Sequence, residues 1–413
     1  MPGQIDKRAV PARRSHSAPR TGGASQVGAC APWLDDIDQN VRDALRLPDR
    51  PLEASQAFDI VVVGAGVAGL NAALGARSAG ARVLVLEAAA SIGTGATGRN
   101  AGILSAGINM GLADMPPGSP ESDLWPATTR ELLALAREAE RPGTLLKATL
   151  TGSLSLAETR AAARHLVREA EARTRAGLRA QIWSAAEVSQ ATNSRLDTRT
   201  ILEALWLPDE GRIHPLTLLA YLAECARREG ISILGNAPVV RWEATSANGK
   251  TTEWTLYLED GTTMKASGLV LAIGPTVEPT GRLYALSFLA DLPETFPLFW
   301  DSAPYTYCDF RAGEGRLTVS GGRYGRPGAY SRDYIYHGRL ADAARHWLPE
   351  LRTEHPVYAW AVDIAVSAGM VPEARRIDGS APGLAILGLG ALGVLPGSIL
   401  GRRAGERLAQ EIA

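Results

Sequence analysis

Cysteine is scarce in this sequence, with three among 413 residues. Cys30, Cys225 and Cys308 lie far apart, and no C-x-x-C pair occurs. A disulfide framework and a thiolate metal site are therefore not expected, and a reducing cytoplasm is the default location. The six histidines also lack the spacing of metal ligands, so the sequence predicts no metal site.

An excess of charge is also missing, because 43 Lys and Arg residues face 44 Asp and Glu residues, for a net charge of −1. No field of one sign is available to attract nucleic acid or an anionic membrane to the protein as a whole. The expected partners are therefore small molecules, and the oligomeric state is left open.

Residues 379–401 form a long uncharged stretch that could span a bilayer by its length. This stretch holds seven glycines and two prolines, which make a poor membrane helix. We expect a short strand at 384–387, a glycine-rich turn, and a helix from about Pro396 to Ile412. At the other end, the first thirty residues are basic but have no apolar h-region. Residues 1–52 are predicted to be a flexible tail, with a transit peptide as the alternative.

Glycine, by contrast, is abundant: the 43 glycines are about one residue in ten, against a usual ~7 per cent. The segment GAGVAG at 64–69 is a G-x-G-x-x-G motif between a β-branched run at 59–63 and a helical pattern at 68–79. Gly64 would allow the tight turn, Gly66 the approach of a pyrophosphate, and Gly69 close helix–strand packing. Glu87, which ends the next predicted strand, could accept both ribose hydroxyls. The pattern predicts dinucleotide binding without distinguishing FAD from NAD.

A second glycine cluster, GTGATGRNAG at 93–102, favours FAD. It begins six residues after Glu87, too soon for the next helix of an NAD-type domain. With this loop the sequence resembles the D-amino-acid oxidase superfamily of FAD enzymes, in which such a loop wraps the pyrophosphate and the isoalloxazine edge. The segments that extend the resemblance are ALWLPDEGRIHP at 204–215, ISILGNAPVVRW at 231–242, LVLAIGP at 269–275, and GLGALG at 388–393 followed by Gly401. The resemblance covers about residues 52–412.

This resemblance implies non-covalent FAD, since no His or Cys lies within 93–102 and Cys308 lies in an ordinary strand pattern. It also implies that the N-terminus of the last helix points its positive dipole at the flavin. The cofactor-binding residues that it implies are Gly64, Ala65, Gly66, Gly69, Glu87, Gly98, Arg99, Asn100, Ala101, Gly102, Val239, Ala272, Gly274, Gly390, Leu392, Gly393 and Val394.

The predicted fold class is α/β, or α+β overall, with a Rossmann-like FAD-binding domain and a second, substrate-binding domain on an antiparallel or mixed sheet. The FAD-binding domain is assigned to 53–120, 205–275 and 372–413, and the substrate-binding domain to 121–204 and 276–371. The region 296–360 holds 13 of the 24 aromatic residues, which favours a separate sheet there. A hairpin is predicted over 252–274, with its turn at Asp260-Gly261.

Two segments narrow the resemblance to γ-glutamylputrescine oxidoreductases: GATGRNAG at 95–102 and YAWAVDIAV at 358–366. In the α-amino-acid branch, an arginine on the strand of Trp360 would clamp the substrate carboxylate. Val362, Asp363 and Ile364 stand near that position here, so an amine is the expected substrate. Asp363 could neutralise an ammonium group within an aromatic cage, or be a structural carboxylate. The substrate-pocket candidates are Trp360, Asp363, Tyr307, Tyr324 and Arg311, although Arg311 also suits a salt bridge.

The predicted function is oxidation of the C–N bond of a primary or secondary amine, or an amino acid, by hydride transfer to FAD. The electron acceptor is expected to be O2, giving H2O2, or another acceptor. The sequence departs from the family at Leu392, Ala101 and Ala361 and has a short 276–304 segment. These departures leave open a non-catalytic flavin-binding partner in a multi-enzyme assembly. An NAD-dependent dehydrogenase is a third alternative.

Overall fold

A computed structural model describes residues 3–4, 31–48, 58–116, 118–247, 250–274, 279–301, 307–367, 369–378 and 381–413. The helices are α1 (Gln39–Leu45), α2 (Val67–Ser78), α3 (Leu124–Ala139), α4 (Arg160–Arg175), α5 (Ala185–Ala191), α6 (Pro215–Arg228), α7 (Asp333–Trp347) and α8 (Val394–Ile412). The strands are β1 (Gly3–Gln4), β2 (Phe58–Val63), β3 (Val83–Leu86), β4 (Ile103–Leu104), β5 (Ala148–Leu150), β6 (Ser153–Ala157), β7 (Gln181–Trp183), β8 (Glu203–Leu207), β9 (Gly211–Ile213), β10 (Ser232–Leu234), β11 (Val239–Ala247), β12 (Lys250–Leu258), β13 (Thr263–Leu271), β14 (Gly281–Leu289), β15 (Leu298–Asp301), β16 (Cys308–Gly313), β17 (Arg316–Gly325), β18 (Tyr358–Ile364), β19 (Glu373–Arg376) and β20 (Gly383–Leu387).

The first sheet is built on the β2–α2–β3 unit that the glycine motif predicts. In the described part of the chain it has nine strands, in the order β1-β11-β12-β13-β2-β3-β10, with β20 beside β13 and β19 beside β20. Strands β10, β3, β2, β13 and β20 run parallel, and the apolar run at 60–63 is buried at their centre. Such a run suits a strand that is covered on both faces.

The second sheet has eight strands among the described residues, in the order β18-β14-β17-β16-β15-β6-β8-β7. Its pairings are antiparallel except that of β15 with β6. Helix α7 packs on one face through Leu340 and Trp347, against Phe288 and Phe310 of the sheet. The α/β fold class is confirmed. A small third sheet pairs β4 and β5 with β9, and β8 crosses the domain boundary predicted at 204/205.

Helices α2 and α8 cross closely over the first sheet because small residues line their contact. A Cβ on Gly401 would lie 2.2 Å from the carbonyl oxygen of Ala68, and one on Gly405 would lie 1.9 Å from that of Ala72. The Cβ–O separation is far below van der Waals contact in both cases, so each position requires glycine. Gly401, which belongs to the last segment of the family resemblance, therefore serves the packing of these two helices.

The prediction of a flexible tail over 1–52 is wrong for residues 31–48. Pro32–Leu34 forms a 3₁₀ turn and α1 follows, with the Asp38 side chain accepting the Val41 backbone N–H at its N-terminus. Trp33 and Val41 are each 1% exposed. The segment packs into the core because its apolar side chains are spaced for burial beside α6. Residues 5–30 and 49–52 lie outside the described residues.

No described helix is both long enough and apolar enough to cross a membrane. The uncharged stretch at 379–401 instead contributes β20, a turn and the start of α8 in its described part. The hairpin predicted over 252–274 is formed by β12 and β13, and Asp260 accepts the Thr262 backbone N–H in its turn.

Candidate functional site

The glycines of the first motif bring three pieces of backbone together at the carboxyl end of β2. Gly64 has a φ of +100°, and a Cβ there would lie 2.5 Å from the carbonyl oxygen of Ala272. A Cβ on Gly69 would lie 1.9 Å from the carbonyl oxygen of Gly64. Gly66 precedes the first residue of α2 and has no side chain to cover the helix N-terminus. The result is a helix N-terminus that no side chain of Gly66 covers, the kind of backbone site that binds a pyrophosphate.

Glu87 lies beside this turn, just past the end of β3. Its carboxylate accepts the backbone N–H of Ala65 at 2.9 Å and that of Ala89 at 3.1 Å. The acidic group is therefore held at the edge where a ribose would lie next to the helix N-terminus. Val239, at the start of β11, is buried on the neighbouring part of the same sheet.

The second glycine cluster folds back onto the N-terminus of α2. Its tight turn requires Gly98, where a Cβ would lie 1.9 Å from the carbonyl oxygen of Gly93. The Thr97 hydroxyl lies 3.3 Å from the backbone nitrogen of Val67, which donates to it. Asn100 accepts the backbone N–H of Gly102 at 2.7 Å. Thr97 was not among the sequence candidates, although its place within GATGRN marks it as part of the same loop.

The C-terminal glycine run is held by Asn109, a residue that the sequence analysis missed. Its Oδ1 accepts the backbone N–H groups of Ala391 and Leu392, at 3.0 and 3.1 Å. Gly390 has a φ of +59°, and a Cβ there would lie 2.6 Å from Nδ2 of Asn109. Gly393 then precedes α8, so the run ends at a helix N-terminus. No sequence signal marks Asn109, because it lies 282 residues from its partner Ala391.

These loops and the second sheet enclose a small cleft of about 50 Å³. One wall comes from the loop at 99–105, another from 391–395, and the floor from β14, β16, β17 and β18. The lining residues are Arg99, Asn100, Ala101, Ile103, Ser105, Leu283, Tyr284, Ala285, Asp309, Ser320, Trp360, Val362, Ala391, Leu392, Val394 and Leu395. Most of these side chains are apolar, so the cleft suits a ligand whose reacting part is uncharged.

One row of cross-strand neighbours forms the floor of the cleft. Trp360 pairs with Ala285, Ala285 with Ser320, and Ser320 with Asp309. At about 4.8 Å per strand, the Cα atoms of Trp360 and Asp309 are about 14 Å apart. The two small residues between them leave a trough, with an aromatic ring at one end and a carboxylate at the other.

Trp360 and Asp363 were both predicted to face the substrate, but they lie on opposite faces of β18. Trp360 is buried on the cleft side, and its Nε1 donates to the Arg99 carbonyl oxygen at 2.8 Å. Asp363 accepts from Arg282 at 2.9 Å, and Arg282 also pairs with Asp333 at the start of α7. These two carboxylates raise the pKa of Arg282 above its usual value, against the effect of burial. Asp363 is therefore already neutralised on the α7 side of the sheet.

The other three substrate candidates do not line the cleft. Arg311 is 1% exposed and pairs with Glu314 at 2.6 Å, and its Nε donates to the carbonyl oxygen of Gly102 at 3.2 Å. Arg311 therefore supports the loop at 99–105 through its hydrogen bond to Gly102. Tyr307 and Tyr324 are 52% and 43% exposed, respectively. Asp309 lies on the same face of β16 as Arg311; it was not predicted but reaches the cleft.

Trp33 and His214 also support the loop at 99–105: Trp33 contacts the loop directly, and His214 packs against Trp33. Trp33 donates from Nε1 to the Asn100 carbonyl oxygen at 2.9 Å and contacts the rings of His214 and Trp360 edge-on. His214 accepts the Thr217 backbone N–H at the start of α6 and is 1% exposed. Burial lowers the pKa of His214 to about 4, so its ring is neutral.

The sequence matches the DAO family, described as FAD dependent oxidoreductase, over residues 59–407. The protein belongs to this family. It is therefore an FAD-dependent oxidoreductase of the DAO type. In sequence, no curated protein matches it significantly.

Solved structures of this architecture share the fold at low identity. Glycine oxidase from Geobacillus kaustophilus superposes with a TM-score of 0.70 at 21% identity, covering 87% of this chain and 96% of that one. L-proline dehydrogenase from P. horikoshii has a TM-score of 0.70 at 17% identity, covering 87% and 94%. An L-amino acid deaminase from Proteus vulgaris has a TM-score of 0.71 at 14% identity, covering 91% and 96%.

The described residues of this DAO-family protein fit FAD. The helix N-terminus at Gly66 could take the pyrophosphate, and Glu87 stands where it could accept the ribose hydroxyls. Gly274 has a φ of +79°, and a Cβ there would meet no described atom within 4 Å, which leaves open space beside β13. At the other end of the site, α8 begins at Val394 on the wall of the cleft. The positive end of its dipole would favour negative charge on a flavin ring bound there.

Proposed function

We propose that this FAD-dependent oxidoreductase oxidises the C–N bond of a primary or secondary amine. The observation that carries the proposal is the cleft face of β18. Trp360, Val362 and Ile364 occupy it, and all three are apolar and buried. None can hold an α-carboxylate in the way an arginine on this strand would. The likeness of 95–102 and 358–366 to γ-glutamylputrescine oxidoreductases supports the same class of substrate.

In this reaction the carbon next to nitrogen loses a hydride to FAD and the nitrogen loses a proton, so the C–N bond becomes C=N. Water then hydrolyses the imine to a carbonyl compound and releases the amine nitrogen. The two electrons pass to O2, giving H2O2, or to another acceptor. The chain's own residues hold the amine in the trough between Trp360 and Asp309 and exclude water through the apolar walls.

The two large sheets have different roles in this proposal. We assign the first sheet, with α2 and α8, to FAD binding, and the second sheet to the substrate. The cofactor residues implied by the resemblance lie at both ends of the proposed site, with Glu87 at the ribose end and Val394 at the flavin end. Their contacts with FAD are part of the proposal.

An anaerobic screen tests the function. FAD-loaded protein is mixed with amines, α-amino acids and 2-hydroxy acids while the flavin absorbance is followed. Bleaching by an amine supports the proposal, and reduction only by a hydroxy acid contradicts it. Full FAD occupancy without reduction by any compound favours a non-catalytic flavin-binding partner. Admission of air after bleaching then shows whether O2 restores the colour and H2O2 forms.

A further inference from the structure

Asp309 is a carboxylate in the cleft that has no cationic partner among the described residues. Ser320 Oγ lies 3.4 Å from its Oδ2, which is long for an O–H···O hydrogen bond. The other oxygen has no hydrogen bond or ion pair within the described ranges. Arg311, on the same face of β16, is already paired with Glu314. A carboxylate in these surroundings is costly unless a cation or a proton joins it.

The charged group that acts on Asp309 is the carboxyl group of Asp301, which repels negative charge there, whereas the nearby Cys308 thiol and Tyr324 hydroxyl have raised pKa values and stay neutral. Asp301 lies on the adjacent strand β15, Cys308 on β16 itself, and Tyr324 on β17. Burial, together with repulsion from Asp301, raises the pKa of Asp309 to about 7. Near pH 7 the Asp309 carboxyl group is therefore about half protonated, and a bound cation would shift it to the charged form.

We propose that Asp309 binds the ammonium group of the substrate, so that the substrate class is a cationic amine whose carbon chain lies over Ala285 and Ser320 toward Trp360. This assignment rests on the proposed function and deepens it. The proton that the ammonium loses passes to the Asp309 carboxylate, and the neutral amine is then ready to lose a hydride. Because Ala285 and Ser320 are small, the floor between the two ends accepts a chain of carbon atoms.

The test uses a probe that cannot be oxidised. The carbon next to nitrogen in tert-butylamine has no hydrogen, so the cation binds without reducing FAD. Pivalate has the same shape and the opposite charge. We expect wild-type, FAD-loaded protein to bind tert-butylamine and not pivalate in calorimetric titrations. Asp309→Asn should weaken binding of the cation by about 10- to 100-fold, the range of a hydrogen bond to a charged group.

Asp363→Asn is the matched control, because this carboxylate lies on the α7 face of the same sheet. Its binding of tert-butylamine should stay within about twofold of wild type. Flavin content and circular dichroism show whether each variant is folded. Should Asp309→Asn fail to fold, wild type alone remains decisive: its affinity for the cation should fall as the pH is lowered through about 7.

Equal binding by wild type and Asp309→Asn, or a constant affinity across this pH range, would overturn the role of Asp309. A preference for pivalate, or a loss of cation binding in Asp363→Asn alone, would do the same. These outcomes are separate from the proposed function. If amines bleach the flavin while Asp309→Asn binds tert-butylamine normally, only this inference fails. If no amine bleaches the flavin, the proposed function fails.

Discussion

The structure makes a strong prediction for Trp33, a residue in the segment that the sequence assigned to a flexible tail. Its side chain is 1% exposed and contacts His214, Trp360 and the guanidinium of Arg311. Truncation of a buried tryptophan to alanine costs about 3–5 kcal/mol. The Nε1 bond to the Asn100 carbonyl contributes about 1 kcal/mol within that total. We therefore expect Trp33→Ala to lower the free energy of unfolding by about 3–5 kcal/mol.

Urea unfolding, followed by circular dichroism with and without added FAD, measures this loss. Leu34→Ala is the control, since Leu34 lies in the same 3₁₀ turn but is 54% exposed. Its effect should stay within about 0.5 kcal/mol. Trp33→Ala should also weaken FAD binding, because Trp33 donates a hydrogen bond to the Asn100 carbonyl oxygen in the loop at 93–102, which we propose contacts FAD. Equal unfolding midpoints for the two variants would refute the view that 31–48 is part of the folded core.

Two further predictions concern the cofactor site and its support. If Glu87 binds the ribose as proposed, Glu87→Gln should raise the Kd for FAD by about tenfold or more, because a charged acceptor would be lost. Flavin fluorescence measures this, and Asp59→Asn, at the far end of β2 and paired with Arg82, should leave the Kd nearly unchanged. The pKa of His214 is about 4 in the folded protein and about 6.5 in the unfolded chain. As the pH falls from 6.5 to 4, the unfolded chain therefore takes up the proton first, and stability should drop by up to about 3 kcal/mol from this group. His214→Asn should lack this drop in urea titrations across the same range, and a drop that persists in the variant would show that His214 is not its source.

The strand, glycine turn and helix at 58–78 could be predicted from sequence because their determinants are local. Strand β2, the turn at Gly64 and helix α2 follow one another directly, and a glycine motif between two such patterns has few other uses. Asn109 and Trp33 could not be found in this way. Each meets its partner across a long separation in sequence, and neither residue type is special for its role.

The substrate candidates show where strand patterns help and where they do not. Alternation along β18 already implies that Trp360 and Asp363, three residues apart, face opposite sides of the sheet. The prediction that both line one pocket neglected this rule. Asp309 is a different case, since its place opposite Trp360 depends on the register of β18, β14, β17 and β16 together. That register is a tertiary property without a local signal.

The most direct test of the account compares an α-amino acid with the amine that remains when its carboxylate is removed. Phenylalanine with phenethylamine, and valine with isobutylamine, are suitable pairs. The rate of anaerobic flavin reduction is measured for each compound with wild-type, FAD-loaded protein. Because the cleft face of β18 is apolar and Asp309 is unpaired among the described residues, the amine of at least one pair should reduce the flavin faster than its amino acid. Faster reduction by the amino acid in every pair, or no reduction by any amine, would contradict the account.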